Sequence, residues 1–485
     1  MKVKNKSLGV NAVLNAFKSA LAILFPLITY PYAFRILHTE GIGKVNYATS
    51  IISYFILIAS LGISTYAVRE GAKYRDKPKV FNEFCNQIFS FNILTTMISY
   101  VLLFLVIFSN KSLYSYKDLL LILSLTIAFT TFSIEWVNTI FEDFLFITIR
   151  SIVIYLITMI LLFLIVKNED DYILYSLLTV VNSGCICISN WIYCRKYVHI
   201  KFTVKMEISK HIKPVLTFFA NAVATSIYVN SDTTMIGYLI GDHFVGLYTL
   251  AVKIYNVIKT MLAAMYTVAI PRLSFFAGQG DKDNIKKIYT ALLSNLTIIL
   301  LPAGVGLAAI SREIILIMGG KEYLAATLTL QILSLSLIGA IFGGAITYCL
   351  NIPLGREKIN VKATMISALI NIVLNIFLIP MFKQNGAAIT TVISEFFVAA
   401  YCLKKFENIN EYLNIKNWLK NLIQALIGCV IVIVVSVVIK SIFVNTLIRI
   451  GAIIILSVFI YTLELLMLKN EIIFSVINKI NNKLV

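Results

Sequence analysis

The chain has 485 residues, 59% of them hydrophobic and 14% charged, with a mean hydropathy of +0.87. Its dominant solvent is therefore lipid, and a soluble domain of ordinary size is excluded. The formal net charge of +18 lies in alternate loops, as expected of a polytopic membrane protein and not of a nucleic-acid binder.

The apolar run from Leu8 to Tyr32 follows Lys2, Lys4 and Lys6. It is too long for a signal-peptide core and reads as a retained first span. Further apolar runs lie near 45–66, 86–108, 118–137, 144–166, 172–194, 214–240, 245–271, 288–310, 326–349, 360–380, 385–403, 419–440 and 446–468. The expectation is an all-α polytopic membrane protein with about fourteen transmembrane helices. With the N-terminus in the cytoplasm, most of the 42 Lys+Arg fall on the cytoplasmic side, so both termini are expected there. Glu135, Glu142 and Asp143 are expected in a solvated cytoplasmic loop. The fifth and thirteenth spans carry almost no polar residue and are expected to face lipid.

An ungapped shift of 203 residues lays Leu37-His38-Thr39-Glu40-Gly41-Ile42-Gly43 on Ile240-Gly241-Asp242-His243-Phe244-Val245-Gly246, and Arg69 on Arg272. The match suggests a duplicated bundle with parallel repeats. The expected organisation is an N-terminal lobe over 1–200, a C-terminal lobe over 201–408 and two extra helices over 409–485, with the lobes around a central cavity.

Polar residues recur inside the spans. Asn11, Asn15 and Lys18 share one face of the first helix, and Asn221 and Asp232 lie on one face of the seventh. The eighth carries Lys253, Asn256 and Lys259; the eleventh carries Asn371 and Asn375; the twelfth carries Glu395. An ionisable group at membrane depth is costly unless it faces a partner or a watery cavity, so Lys18, Lys253 and Lys259 are candidate substrate-binding cations. Asp232 and Glu395 are candidate ion-coupling acids or charge partners of the lysines. The asparagines either line the cavity or bond helix to helix. Arg35, Arg69 and Arg272 stand at span ends, where snorkelling accounts for them.

Gly43-Lys44 is followed by Val45, so no phosphate-binding loop is present. The four histidines, His38, His199, His211 and His243, are scattered in loops or at span ends. The seven cysteines form no zinc-type or redox pair, and neither a metal nor a cofactor is expected.

The run Ser367 to Pro380 with Asn385-Gly386-Ala387-Ala388 resembles the helix 11 to 12 signature of bacterial polysaccharide flippases. Val245-Gly246-Leu247-Tyr248 with Lys253, Pro271-Arg272-Leu273-Ser274 and Val68-Arg69-Glu70 are similar to that family's pattern. Its members belong to the multidrug/oligosaccharidyl-lipid/polysaccharide exporter superfamily. The resemblance implies a flippase, not an enzyme, that moves an undecaprenyl-diphosphate-linked oligosaccharide from the inner to the outer leaflet of the bacterial plasma membrane. The implied mechanism is alternating access, with H+ or Na+ as candidate coupling ion and the lipid-linked oligosaccharide and membrane lipids as partners. It places the cavity cations at Lys18 and Lys253 and, less directly, at Lys259.

A cation-coupled multidrug antiporter or a lipid II flippase of the same superfamily is the alternative. The antiporter would call for a net acidic cavity, whereas here the lysines at least balance the acids. A membrane glycosyltransferase or polymerase ordinarily needs a long external catalytic loop, and none is present.

Overall fold

The computed structural model describes residues 8–470, with side chains from residue 25 onward except at Asn221. Among the described residues there is no strand, and thirteen helices are long and apolar enough to cross a membrane. The main helix of each is, in order, α1 Leu8–Ser60, α2 Pro78–Ser109, α3 Lys117–Phe132, α4 Phe144–Ile165, α5 Tyr172–Cys194, α6 Ile208–Ile240 and α7 Asp242–Thr267. There follow α8 Lys282–Ala309, α9 Ala326–Ile346, α10 Glu357–Phe382, α11 Gln384–Lys404, α12 Ile415–Ile442 and α13 Thr446–Met467.

The 53 residues of α1 are too many for one crossing, and the run is broken at His38, whose φ of 54° and ψ of −175° are not helical. Its two arms account for two of the fourteen expected spans. Gly241, which separates α6 from α7, has φ 97° and ψ 173°. The two positions related by the 203-residue shift therefore both turn the chain through a positive φ with an extended ψ. Gly241 adopts it without a Cβ clash; His38 holds it as a non-glycine residue.

Packing divides the chain into two compact units, Met1–Gly246 and Leu247–Val485. In the first, α1 is central, packing against α2, α3, α4 and α6. Ser99 and Thr95 of α2 donate to the carbonyls of Phe55 and Ala59, and Thr234 of α6 donates to Ser50 Oγ at 2.8 Å. In lipid such polar contacts do what apolar packing does in water. In the second unit the closest helix pairs are α9 with α11, α10 with α11 and α8 with α12. Trp418 of α12 donates to Thr297 of α8 at 2.8 Å, and Tyr461 of α13 donates to the Ile298 carbonyl at 3.0 Å.

The outer faces are apolar, as a lipid solvent requires. Val153, Leu156, Ile160 and Leu164 of α4 and Leu426, Val430, Ile433 and Val437 of α12 are exposed. These are the spans expected to face lipid.

Candidate functional site

The charged cluster of the second unit is assembled from three helices. Tyr255 and Lys259 lie four apart, hence on one face of α7. Lys259 Nζ is 2.6 Å from Glu395 Oε1 on α11, and its ammonium lies 5.5 Å from the Tyr255 ring centroid. The Tyr255 hydroxyl is 3.5 Å from the same carboxylate oxygen and 3.4 Å from Ser336 Oγ on α9. Gly339 allows this convergence: a Cβ there would stand 2.8 Å from Phe396 N and 2.9 Å from the Glu395 carbonyl carbon. Helices α9 and α11 thus meet backbone to backbone, as small residues permit in membranes. The pair neutralises two charges that would each be costly alone at this depth.

Lys253 is half-buried on the same helix. Six positions separate it from Lys259, about 9 Å along the axis and roughly 120° around it, so the two lysines serve different surroundings. Asn256, between them, is exposed. Asn371 and Asn375 are fully buried at the α10–α11 contact. Asn375 donates to Asn371 Oδ1 at 3.1 Å, and Thr390 of α11 donates to Asn375 Oδ1 at 2.6 Å. Of the two readings open for these asparagines, helix-to-helix bonding is the geometry observed.

In the first unit Asp232 is buried on α6, two residues before Thr234, which meets the Tyr54 hydroxyl at 3.3 Å. The side chains of Asn11, Asn15, Lys18 and Asn221 lie outside the described residues.

The acids assigned to a solvated loop are instead largely built into the structure. Ile134, with φ 43°, breaks the chain after α3 and turns Glu135 back toward α4, where it meets Arg150 at 2.9 Å. That arginine is 7% exposed and also donates to Asn190 of α5, which accepts from Asn138. Asp143 is 5% exposed and accepts from Tyr193, Tyr197 and Lys196. Glu142 alone is solvated, facing Arg75 at 3.2 Å. Burial pushes Lys196 down, but its bonds to Tyr193, Tyr197 and Asp143 outweigh this and hold the ammonium above its usual range. A cavity of about 800 Å3 opens beside this network, lined by Arg69, Glu135, Ser133 and Thr139 among others. The sequence signal for it was Arg150, two residues before the polar-free stretch of α4 and too far inside the helix to be a simple end residue.

The family model described as "Polysaccharide biosynthesis protein" matches residues 10–276, and the MatE model matches residues 217–381. The chain belongs to the polysaccharide biosynthesis protein family. Among relatives of this family member, "Probable low-salt glycan biosynthesis flippase Agl15" of Haloferax volcanii is 24% identical over 242 residues, spanning about half (48%) of each chain. A "Putative O-antigen transporter" of Escherichia coli (strain K12) is 26% identical over 427 residues, covering 84% of this chain and 99% of its own. The solved structure titled "Lipid II flippase MurJ, inward closed conformation" superposes with a TM-score of 0.76 at 17% identity, covering 94% of this chain and 100% of that one. At that identity the likeness is one of fold.

Proposed function

We propose that the chain is a flippase that carries an undecaprenyl-diphosphate-linked oligosaccharide from the inner to the outer leaflet of the bacterial plasma membrane by alternating access. Membership of the polysaccharide biosynthesis family supports the substrate class, as do relatives named as a glycan flippase and an O-antigen transporter. The observation that carries the reading is the half-buried Lys253 within a crossing helix of such a chain. A diphosphate leaving the headgroup layer needs positive charge at membrane depth, and lysine supplies it as a compact point charge while the prenyl tail stays in lipid. Lys253, with Lys18, is the proposed diphosphate contact. Lys259 is held by Glu395 and contributes through α7 positioning. Asp232 is the proposed site for coupling H+ or Na+. Both termini are proposed to be cytoplasmic, on the strength of the charge asymmetry of the loops.

The antiporter alternative is favoured by the MatE match. It is disfavoured by the Lys259–Glu395 pair, which leaves that acid neutralised by a lysine instead of presenting it to a cationic drug.

The test is complementation in a bacterium whose own repeat-unit flippase has been deleted. Surface glycan should return when this chain is expressed. Normal expression with lipid-linked repeat units still trapped on the inner leaflet would count against the proposal.

A further inference from the structure

A second site lies in the same unit as the charged cluster and shares none of its residues. A pocket of about 560 Å3 sits between the first turns of α8 and of α12. Lys286, Thr290 and Ser294 of α8 recur every four residues and form one stripe, joined by Lys287 and by Lys420 of α12. Asp283 is the one acid on the wall, so the pocket is net cationic, and none of its lysines forms an ion pair among the described residues. Its inner wall is made of amides: Asn470 is buried and donates to Asn421 Oδ1 at 2.9 Å.

Ser294 is the decisive residue. It is 2% exposed, lines the pocket, and its hydroxyl has no hydrogen-bond partner among the described residues. A helical serine ordinarily bonds to a carbonyl one turn back when nothing else is offered. An orphaned buried hydroxyl facing a cationic pocket points to a ligand that carries acceptors.

We propose that this pocket binds the headgroup of an anionic phospholipid, with the phosphate on Lys286, Lys287 and Lys420 and a second polar atom of the headgroup on the Ser294 hydroxyl. Lys286 and Ser294 are about 12 Å apart along α8, too far for one inorganic phosphate to satisfy both well. The lysines precede or begin the apolar runs that start near 288 and 419, so they stand at the level where headgroups meet hydrocarbon. Beyond Lys420, α12 exposes Ile423, Leu426, Ile427 and Val430, a strip along which acyl chains can lie. The site makes no use of the transported glycan and stands whether or not the proposed substrate is correct.

The test is native mass spectrometry of the purified full-length protein in detergent with phosphatidylglycerol or phosphatidylcholine, and melting measurements with inorganic phosphate alone. Wild type should retain phosphatidylglycerol in preference to phosphatidylcholine. The K286Q/K287Q/K420Q variant should lose about tenfold or more of that affinity. S294A, a substitution that removes one oxygen and should leave the fold intact, should lose a smaller share. K282Q, which removes an exposed lysine paired with Glu411 outside the pocket, should bind as wild type does. Equal phosphatidylglycerol retention by wild type and the triple variant, or no preference over phosphatidylcholine, would overturn the proposal. A melting shift with inorganic phosphate that equals the lipid effect and vanishes in the triple variant would overturn the lipid assignment in favour of a free anion.

Discussion

Gly43 and Gly246 make the same contact in opposite directions: a Cβ on Gly43 would lie 1.9 Å from the Asp242 carbonyl oxygen, and one on Gly246 would lie 2.1 Å from that of Thr39. Thr39 and Asp242 are themselves 203 residues apart, so the two turns interlock with approximate twofold reciprocity. Thr39 Oγ1, 2.8 Å from His243 Nδ1, adds a polar bond to the same contact.

From this reciprocity, Gly43→Ala and Gly246→Ala should each destabilise the protein by about 1–3 kcal/mol, since the opposing atoms are backbone and cannot swing away. Gly451→Ala is the control, because a Cβ there meets nothing within 4 Å. Melting of the purified protein in detergent checks all three, and unchanged melting of the Gly43 variant would contradict the interlock.

The Lys259–Glu395 pair predicts a specific pattern in a double-mutant cycle. Lys259→Met or Glu395→Gln alone leaves one charge without its partner at membrane depth and should cost about 3 kcal/mol or more. The double variant should be more stable than the sum of the two losses implies, with a coupling of about 1–3 kcal/mol. Simple additivity in denaturation midpoints would show that the pair contributes nothing.

Arg150→Met should be strongly destabilising, by about 3–5 kcal/mol, because it strands Glu135 and Asn190 together. Lys73→Met, which breaks an exposed pair with Glu70, should change stability by no more than about 0.5 kcal/mol. Comparable losses in the two variants would remove the distinction between built-in and surface charge.

The fold was largely legible because a lipid solvent demands long apolar helices, and their lengths are written in hydropathy and the α6–α7 break in Gly241. The ungapped shift set the two turns in correspondence, but that they touch one another was not legible from it. The site was less legible, since a polar stripe does not reveal what it faces. Asn371 and Asn375 share a helix face as a cavity lining would, yet they bond to each other and to Thr390. Glu135 and Asp143 look like loop acids because neither has a basic residue within one helical turn of it in sequence. Their partners, Arg150 and Lys196, arrive 15 and 53 residues later.

Lys253→Ala should abolish glycan export without lowering the amount of inserted protein, while Lys253→Arg should keep part of it, because the charge survives at altered geometry. Export by a normally expressed Ala variant at the wild-type level would mean that Lys253 is structural.

Most direct is the transfer of a fluorescent undecaprenyl-diphosphate-linked oligosaccharide between leaflets of sealed vesicles containing the purified protein, read by quenching from outside. The account predicts transfer well above protein-free vesicles, reduced to their level by Lys253→Ala. Transfer no faster than in empty vesicles, from protein that melts cooperatively and moves organic cations instead, would contradict it.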